Sequence, residues 1–370
     1  MSMGMTATQL GADEGRQCLA DFVRRAAGAR AAEVVGAHPL SGGAIQENWA
    51  IDVEIAGGPQ GGRHALVLRT DAASRVAVSL TRPQEFALLR LAHAAGVTVP
   101  EPLWLCEDAE VLGRNFYLMR RVAGTAAGHR IVRDMTLGGP RDALAERLGR
   151  ELARIHAVTP DRLAALVPDA PAGAYDFLHH PRPSPALDQV ALYRADLDRR
   201  PEAHPVLEWA LRRLELAAPP TAEIVLVHQD FRTGNYMVDA AGLTGILDWE
   251  FCAWGEPMAD IGWFCAKCWR FGAKEAPPGD RDAGGIAPRA LFYRGYEAES
   301  GRRIDAEAVR YWEAMAHVRW AIIALQQADR YIRDGEPVLD LALTGRRLPE
   351  LEHELLALTE TLAAPAMERV

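Results

Sequence analysis

The sequence predicts an α+β chain of two lobes, a small antiparallel-sheet lobe over residues 1–122 and a larger, mainly helical lobe over 123–370. Three observations carry this expectation. The length of 370 residues exceeds what one core usually organises. Short β-branched runs are concentrated before residue 122. From Gly124 onward most segments have helical periodicity.

The elements follow in order. Asp13 to Ala27 has apolar residues at Cys18, Leu19, Phe22, Val23 and Ala26, which predicts an amphipathic opening helix. Glu33 to Pro39, Asn48 to Ile55 and His64 to Arg69 alternate as strands, and the glycines between Gly57 and Gly62 form a turn, because no helix follows them to make a phosphate loop. Pro83 to Ala95 is a helix with proline in its first turn and Gly96 just past its end. Leu103 to Cys106 and Asn115 to Val122 complete five strands. Helices are then expected over Arg141 to His156, Leu187 to Leu197 and Ala203 to Leu216. Short extended pieces at Glu223 to Val227 and Thr244 to Leu247 precede a further helical region from Ala259 to Leu362.

Composition narrows the function. Apolar residues make up 49% and charged residues 25%, the balance of a globular protein. A formal charge of -9 argues against a sequence-independent grip on nucleic acid, which needs a basic surface. No apolar run approaches the roughly 18 residues of a membrane span, and Met1 to Arg16 lacks the pattern of a signal peptide, so a cytoplasmic location is expected. The five cysteines are scattered, and Cys265 and Cys268, although a CxxC pair, lack the second ligand pair of a zinc site. Lys267 and Lys274 are the only lysines, so arginine supplies the other 39 of 41 basic side chains.

The chemical signal is His228-Gln229-Asp230-Phe231-Arg232-Thr233-Gly234-Asn235, followed 13 residues after Asn235 by Asp248-Trp249-Glu250. Phosphoryl transfer needs a hydroxyl aimed at a γ-phosphate and metal ions that neutralise the phosphate oxygens. Asp230 is the candidate for orienting the acceptor hydroxyl and taking its proton. Asn235 and Asp248 are the candidate magnesium ligands, since a carboxamide and a carboxylate suit that hard cation. Glu250 either assists a second ion or caps a loop, and His228 is better read as a structural, neutral histidine than as a proton shuttle. A hairpin with ordinary turn polars would explain an isolated HxD. It does not explain an added Asn and Asp at these offsets.

These motifs, with Gly255-Glu256-Pro257-Met258-Ala259-Asp260-Ile261 behind them, resemble the aminoglycoside phosphotransferase-like enzymes, which share the bilobal protein-kinase-like fold. Glu256 departs from the usual Asp of the last motif, a change expected to matter little. Asp260 would brace the catalytic loop. The resemblance implies ATP or GTP as donor, with magnesium, and a small-molecule hydroxyl as acceptor. It also implies a phosphate-covering turn at Ser41, Gly42 and Gly43, and a phosphate-binding cation on the third strand, for which Arg69 is the natural occupant because no lysine lies in that half, a surface ion pair being the other reading of it. Glu85 is its expected helix partner. The hinge would fall at Phe116 to Val122, with Met119 against the adenine and the Arg120 carbonyl and Val122 N–H facing the base edge. A nucleotide-binding module without transfer activity is a competing reading, disfavoured by the presence of Asp230, Asn235 and Asp248. An aminoglycoside or other antibiotic kinase is another.

The aromatic residues after Ala259, among them Trp263, Trp269, Trp312 and Trp320, are read mainly as core. This part looks more like the kinase-like half of acyl-CoA-dehydrogenase fusion proteins than like the antibiotic-resistance enzymes. That likeness implies an uncharged or anionic acceptor, a hydroxyacyl thioester among the options, with Arg319 as a candidate contact for its anionic part.

Overall fold

A computed structural model describes residues 10, 12–40, 46–71, 80–273 and 276–362. Ser41, Gly42 and Gly43 lie outside the described residues. The chain divides into two compact units: residues 1–124, 162–177 and 244–251 form one, and residues 125–161, 178–243 and 252–370 the other.

The first unit begins with α1 (Asp13–Ala26), whose Asp13 and Glu14 face the helix's positive end and Arg24 and Arg25 its negative end. Strands β1 (Ala31–Leu40), β2 (Gln46–Ala56) and β3 (Gly62–Asp71) follow, then α2 (Arg82–Ala94), β4 (Pro102–Cys106), the short α3 (Ala109–Leu112) and β5 (Phe116–Arg120). The five strands form one antiparallel sheet in the order β1-β2-β3-β5-β4. Its buried face is apolar because alternate positions (Ile51, Val53, Leu66, Leu68, Phe116, Leu118) point one way and pack on Leu19 and Val23 of α1. α2 starts in a capping box, in which Gln84 accepts the Thr81 N–H at 2.9 Å, so its first turn is fixed before any tertiary contact.

Helices dominate the second unit. α4 (Gly128–Arg133) and α5 (Arg141–His156) open it. α6 (Pro160–Leu166) starts there and runs into the segment assigned to the first unit. α7 (Pro185–Asp198), α8 (Pro205–Leu216), β6 (Val225–Val227) and β7 (Tyr236–Val238) come next. β8 (Leu243–Ile246) leads back to the first unit, and β9 (Ala253–Gly255), antiparallel to β6, returns. The remaining helices are α9 (Pro257–Cys265), α10 (Arg289–Ser300), α11 (Ala306–Ile332), α12 (Leu339–Gly345) and α13 (Leu348–Glu360). α11 is the spine. Its Trp312, Met315, Val318 and Ile322 are buried among Leu207, Leu211, Trp263 and Leu355 from α8, α9 and α13. α5 and α10 cross almost backbone to backbone, since a Cβ on Gly149 would lie 2.1 Å from the Phe292 carbonyl and one on Gly295 2.0 Å from that of Glu146. Among the described residues no helix is long and apolar enough to cross a membrane.

The segments expected as strands and long helices are present. The short α3, α4 and α6 and the three-residue β7 and β9 were not anticipated.

Candidate functional site

In the first unit, Arg69 sits on β3 where residues on either side are buried, and the residue is only 6% exposed. It pairs with Glu85 of α2 through Nε (3.1 Å) and Nη2 (2.9 Å), the partnership expected from the sequence. Nη2 also lies 2.9 Å from Asp248 Oδ1. Burial works against the charge on Arg69, but the surrounding acids, Glu85 foremost and Asp248 and Glu250 after it, hold its pKa well above the ordinary arginine value. The loop carrying Asp248 is anchored on both sides. The Ile246 N–H bonds the Thr98 carbonyl at 2.8 Å, and buried Trp249 donates its indole N–H to the Ile246 carbonyl at 3.3 Å. Asp248 itself has φ +61°, a conformation uncommon outside glycine.

Arg82, in the first turn of α2, was missed in the sequence. It is 2% exposed and contacts Asp71 (3.0 Å), Glu85 and Glu250 (3.7 Å), while also donating to the Leu80 carbonyl at 3.2 Å. The Glu250 carbonyl accepts the Leu80 N–H at 3.1 Å. Glu250 therefore ties its loop to the start of α2. The available signal was an arginine three residues before Glu85, the spacing of a helical pair. In all, two guanidiniums face four carboxylates here, a formal excess of two negative charges.

At the end of β5, the Arg121 N–H bonds the Ala65 carbonyl of β3 (3.0 Å) and the Arg120 N–H bonds the Glu101 carbonyl on the opposite side (2.9 Å). Val122 lies two residues beyond the end of β5. Its N–H makes no backbone hydrogen bond among the described residues. Met119 is buried beside it.

In the second unit, the loop after β6 is fixed by Asp260 of α9. Its two carboxylate oxygens accept the His228 N–H (2.6 Å) and the Gln229 N–H (2.7 Å), which holds Gln229 at φ +61°. Asp260 is itself held 3.2 Å from His156 Nε2, whose other ring nitrogen lies 2.9 Å from the Tyr296 hydroxyl. Burial draws the His156 pKa down against the opposing pull of Asp260. His228 is fully buried and accepts the Asp230 N–H on Nδ1 at 3.3 Å, a structural arrangement.

Asp230 is fixed on both oxygens. Oδ1 accepts from the Trp263 indole (3.0 Å) and from Arg232 Nε (3.1 Å), and Oδ2 accepts from Asn235 Nδ2, which also bonds the Asp230 carbonyl at 3.0 Å. The amide nitrogen of Asn235 is thus committed to Asp230, which leaves its oxygen as the atom that could meet a cation. Trp263, read from the sequence as core, is core and a donor to the acidic centre at once. Arg319 donates to the Gln229 carbonyl and lies 4.6 Å over the Trp263 ring.

The oxygen donors fit magnesium. Among the described residues no cluster of three or more His, Cys, Asp or Glu side chains could cage a metal, and an ion held by one or two protein oxygens and otherwise by water and phosphate is what magnesium prefers. Arg69, Glu85, Met119, Arg120, Val122 and Asp248 fall in the first unit, and Asp230 and Asn235 in the second.

A profile of the phosphotransferase enzyme family matches residues 36–299, most of the chain. The chain belongs to this phosphotransferase family. Among curated proteins, the phosphotransferase chain is 31% identical over 188 residues to mouse acyl-CoA dehydrogenase family member 10, a match covering 49% of this chain and 16% of that protein. It therefore corresponds to about a sixth of that relative's length. Among solved structures, a Ralstonia eutropha protein provisionally named an aminoglycoside phosphotransferase aligns with a TM-score of 0.72 at 20% identity, over 94% of this chain and 98% of the other. The GDP complex of wild-type aminoglycoside 2′-phosphotransferase-IIIa aligns with a TM-score of 0.51 at 14% identity, over 90% and 97%. These likenesses establish the bilobal kinase-like α+β fold.

Proposed function

We propose that this phosphotransferase moves the γ-phosphate of ATP or GTP to a hydroxyl of a small molecule, with magnesium as cofactor. The observation that carries the reading is the fixed Asp230: with Trp263, Arg232 and Asn235 donating to it, its carboxylate cannot rotate and is presented in one orientation. A base held in that way takes the acceptor's proton without first paying for reorientation. Asn235 and Asp248 supply oxygen ligands, and magnesium, when bound, neutralises the phosphate oxygens. Arg69, charged at any working pH, grips the α- and β-phosphates, and the Val122 N–H serves the base edge. A structure of this fold in complex with GDP supports a nucleotide donor.

Among acceptors, an uncharged or anionic hydroxyl compound, a hydroxyacyl thioester or hydroxy acid among the options, is favoured over a polycationic antibiotic. The guanidiniums of Arg232 and Arg319 flank the Asp230 loop and would repel amines, and a relative named as an acyl-CoA dehydrogenase family member points the same way. The test is an acceptor screen that follows transfer from labelled ATP and GTP. Turnover of hydroxyacyl compounds supports the reading. Efficient phosphorylation of kanamycin with no hydroxyacyl turnover would overturn the acceptor assignment, and no transfer to any hydroxyl would favour a silent nucleotide-binding module.

A further inference from the structure

The aromatic floor beside Asp230 carries an arginine whose hold on that carboxylate uses only its Nε. Arg232 lies two residues beyond Asp230, with its guanidinium carbon 4.5 Å over the Trp269 ring and 6.0 Å from that of Phe271. Trp269 in turn packs 5.0 Å from Trp263 and 4.5 Å from Trp320. The loop is shaped around this cation. Gly234 has φ +111°, and a Cβ there would lie 2.8 Å from Arg232 Nη1, so a side chain at 234 would require the guanidinium to shift.

Of the five N–H donors of Arg232, Nε goes to Asp230 Oδ1 and Nη1 approaches the Thr233 carbonyl at 3.4 Å. Nη2 has no partner among the described residues, and the side chain keeps 22% of its surface exposed. A purely structural brace for Asp230 would need only the Nε contact. A planar fork stacked on tryptophan with one edge open has the form of a carboxylate or phosphate receptor. Arg319 is placed differently: it is spent on the Gln229 carbonyl, and the cavity beside it, of about 20 Å³, has room for about one water.

We propose that Arg232 is the specificity-determining residue for the acceptor, and that its open edge binds an anionic group on the same molecule whose hydroxyl meets Asp230. An anionic oxygen on that edge lies roughly 5–8 Å from Asp230 Oδ1, two hydrogen-bond lengths plus the width of a guanidinium. The acceptor is then a hydroxy acid or hydroxy phosphate with about two to four bonds between hydroxyl and anion. This rests on the phosphotransferase reading.

The test compares 3-hydroxybutyrate with 1,3-butanediol, a near-isostere without the charge, titrated into the full chain and followed by tryptophan fluorescence and calorimetry. The wild type should bind the acid at least about tenfold more tightly than the diol, the ratio expected for one charge-assisted hydrogen bond. R232Q should bring the two within about twofold, and R232K, which keeps charge but loses the fork and the stack, should fall between. Equal or undetectable binding of the acid by the wild type overturns the proposal, as does a preference that survives in R232Q. Binding of magnesium with ATP or GTP is measured alongside. Failure there removes the phosphotransferase reading, whereas failure of the acid-over-diol preference removes this one.

Discussion

Arg69 Nη2 is equidistant, at 2.9 Å, from Glu85 Oε1 and Asp248 Oδ1. The proposed phosphate cation and a proposed metal ligand are therefore paired with each other. A nucleotide arriving with magnesium satisfies both at once, since taking either alone breaks an ion pair that the other would then have to replace. Magnesium and nucleotide should consequently bind cooperatively.

Replacing Arg69 tests both halves of this pairing. Arg69→Ala leaves buried Glu85 with Arg82 as its remaining cation, and breaking a buried pair costs up to about 3–5 kcal/mol, so the variant should melt early and lose nucleotide affinity together. Arg69→Met with Glu85→Gln removes the charge that lost its partner. Stability should return in this double variant while nucleotide affinity does not, as read by thermal unfolding and calorimetry. Recovery of both would leave Arg69 with no part in phosphate binding.

The proposed metal ligands have a different signature. Asn235→Ala and Asp248→Ala should each weaken nucleotide binding in magnesium by about tenfold or more, while leaving the weaker metal-free binding nearly unchanged. Calorimetry with magnesium and with a chelator separates the two. Metal dependence unchanged in both variants would reject the assignment.

How much of this was legible depends on sequence distance. The Arg69–Glu85 pair could be expected because a strand and the following helix are neighbours in the chain, and no lysine was available to compete for the role. Asp260 as a brace followed from its motif. The Arg82–Glu250 tie and the Trp263 donation to Asp230 span 168 and 33 residues and exist only once the chain has folded, so no local pattern encodes them. Tryptophan is the clearest case. Its apolar body gives the periodicity of core, and only the folded structure shows where its single N–H points. Helices of four to seven residues, such as α3, α4 and α6, are too short to complete a helical period.

Asp230→Asn should lower transfer by at least about a hundredfold, the smaller effect expected for losing a positioned base. Nucleotide binding should fall far less than transfer, because Asp230 is assigned to the acceptor's proton and not to the nucleotide. The measurement is single-turnover transfer to the best acceptor alongside nucleotide affinity. Near-wild-type turnover would remove the base assignment.

The last prediction concerns Glu256, which stands where the family motif has aspartate. It is 5% exposed at the start of α9, and burial pushes its carboxyl up to about 7, against a smaller opposing pull from the Ala222 N–H. Between the ordinary value of 4.5 and about 7, the unfolded chain has lost this proton and the folded chain has kept it. The folded state therefore binds more protons across that window, and stability contributed by the neutral carboxyl falls as pH rises through it, levelling off above about 7. Glu256→Gln keeps a neutral, hydrogen-bonding side chain at every pH. Relative to wild type it should be close to neutral at pH 4.5 and stabilising at pH 8, by on the order of 2 kcal/mol. Chemical denaturation of both proteins across this range reads the difference directly, since every other titrating group is common to the two. A stability difference that does not change between pH 4.5 and 8 would mean that Glu256 is ionised in the fold at all these values, with a cation or water reaching it behind α9.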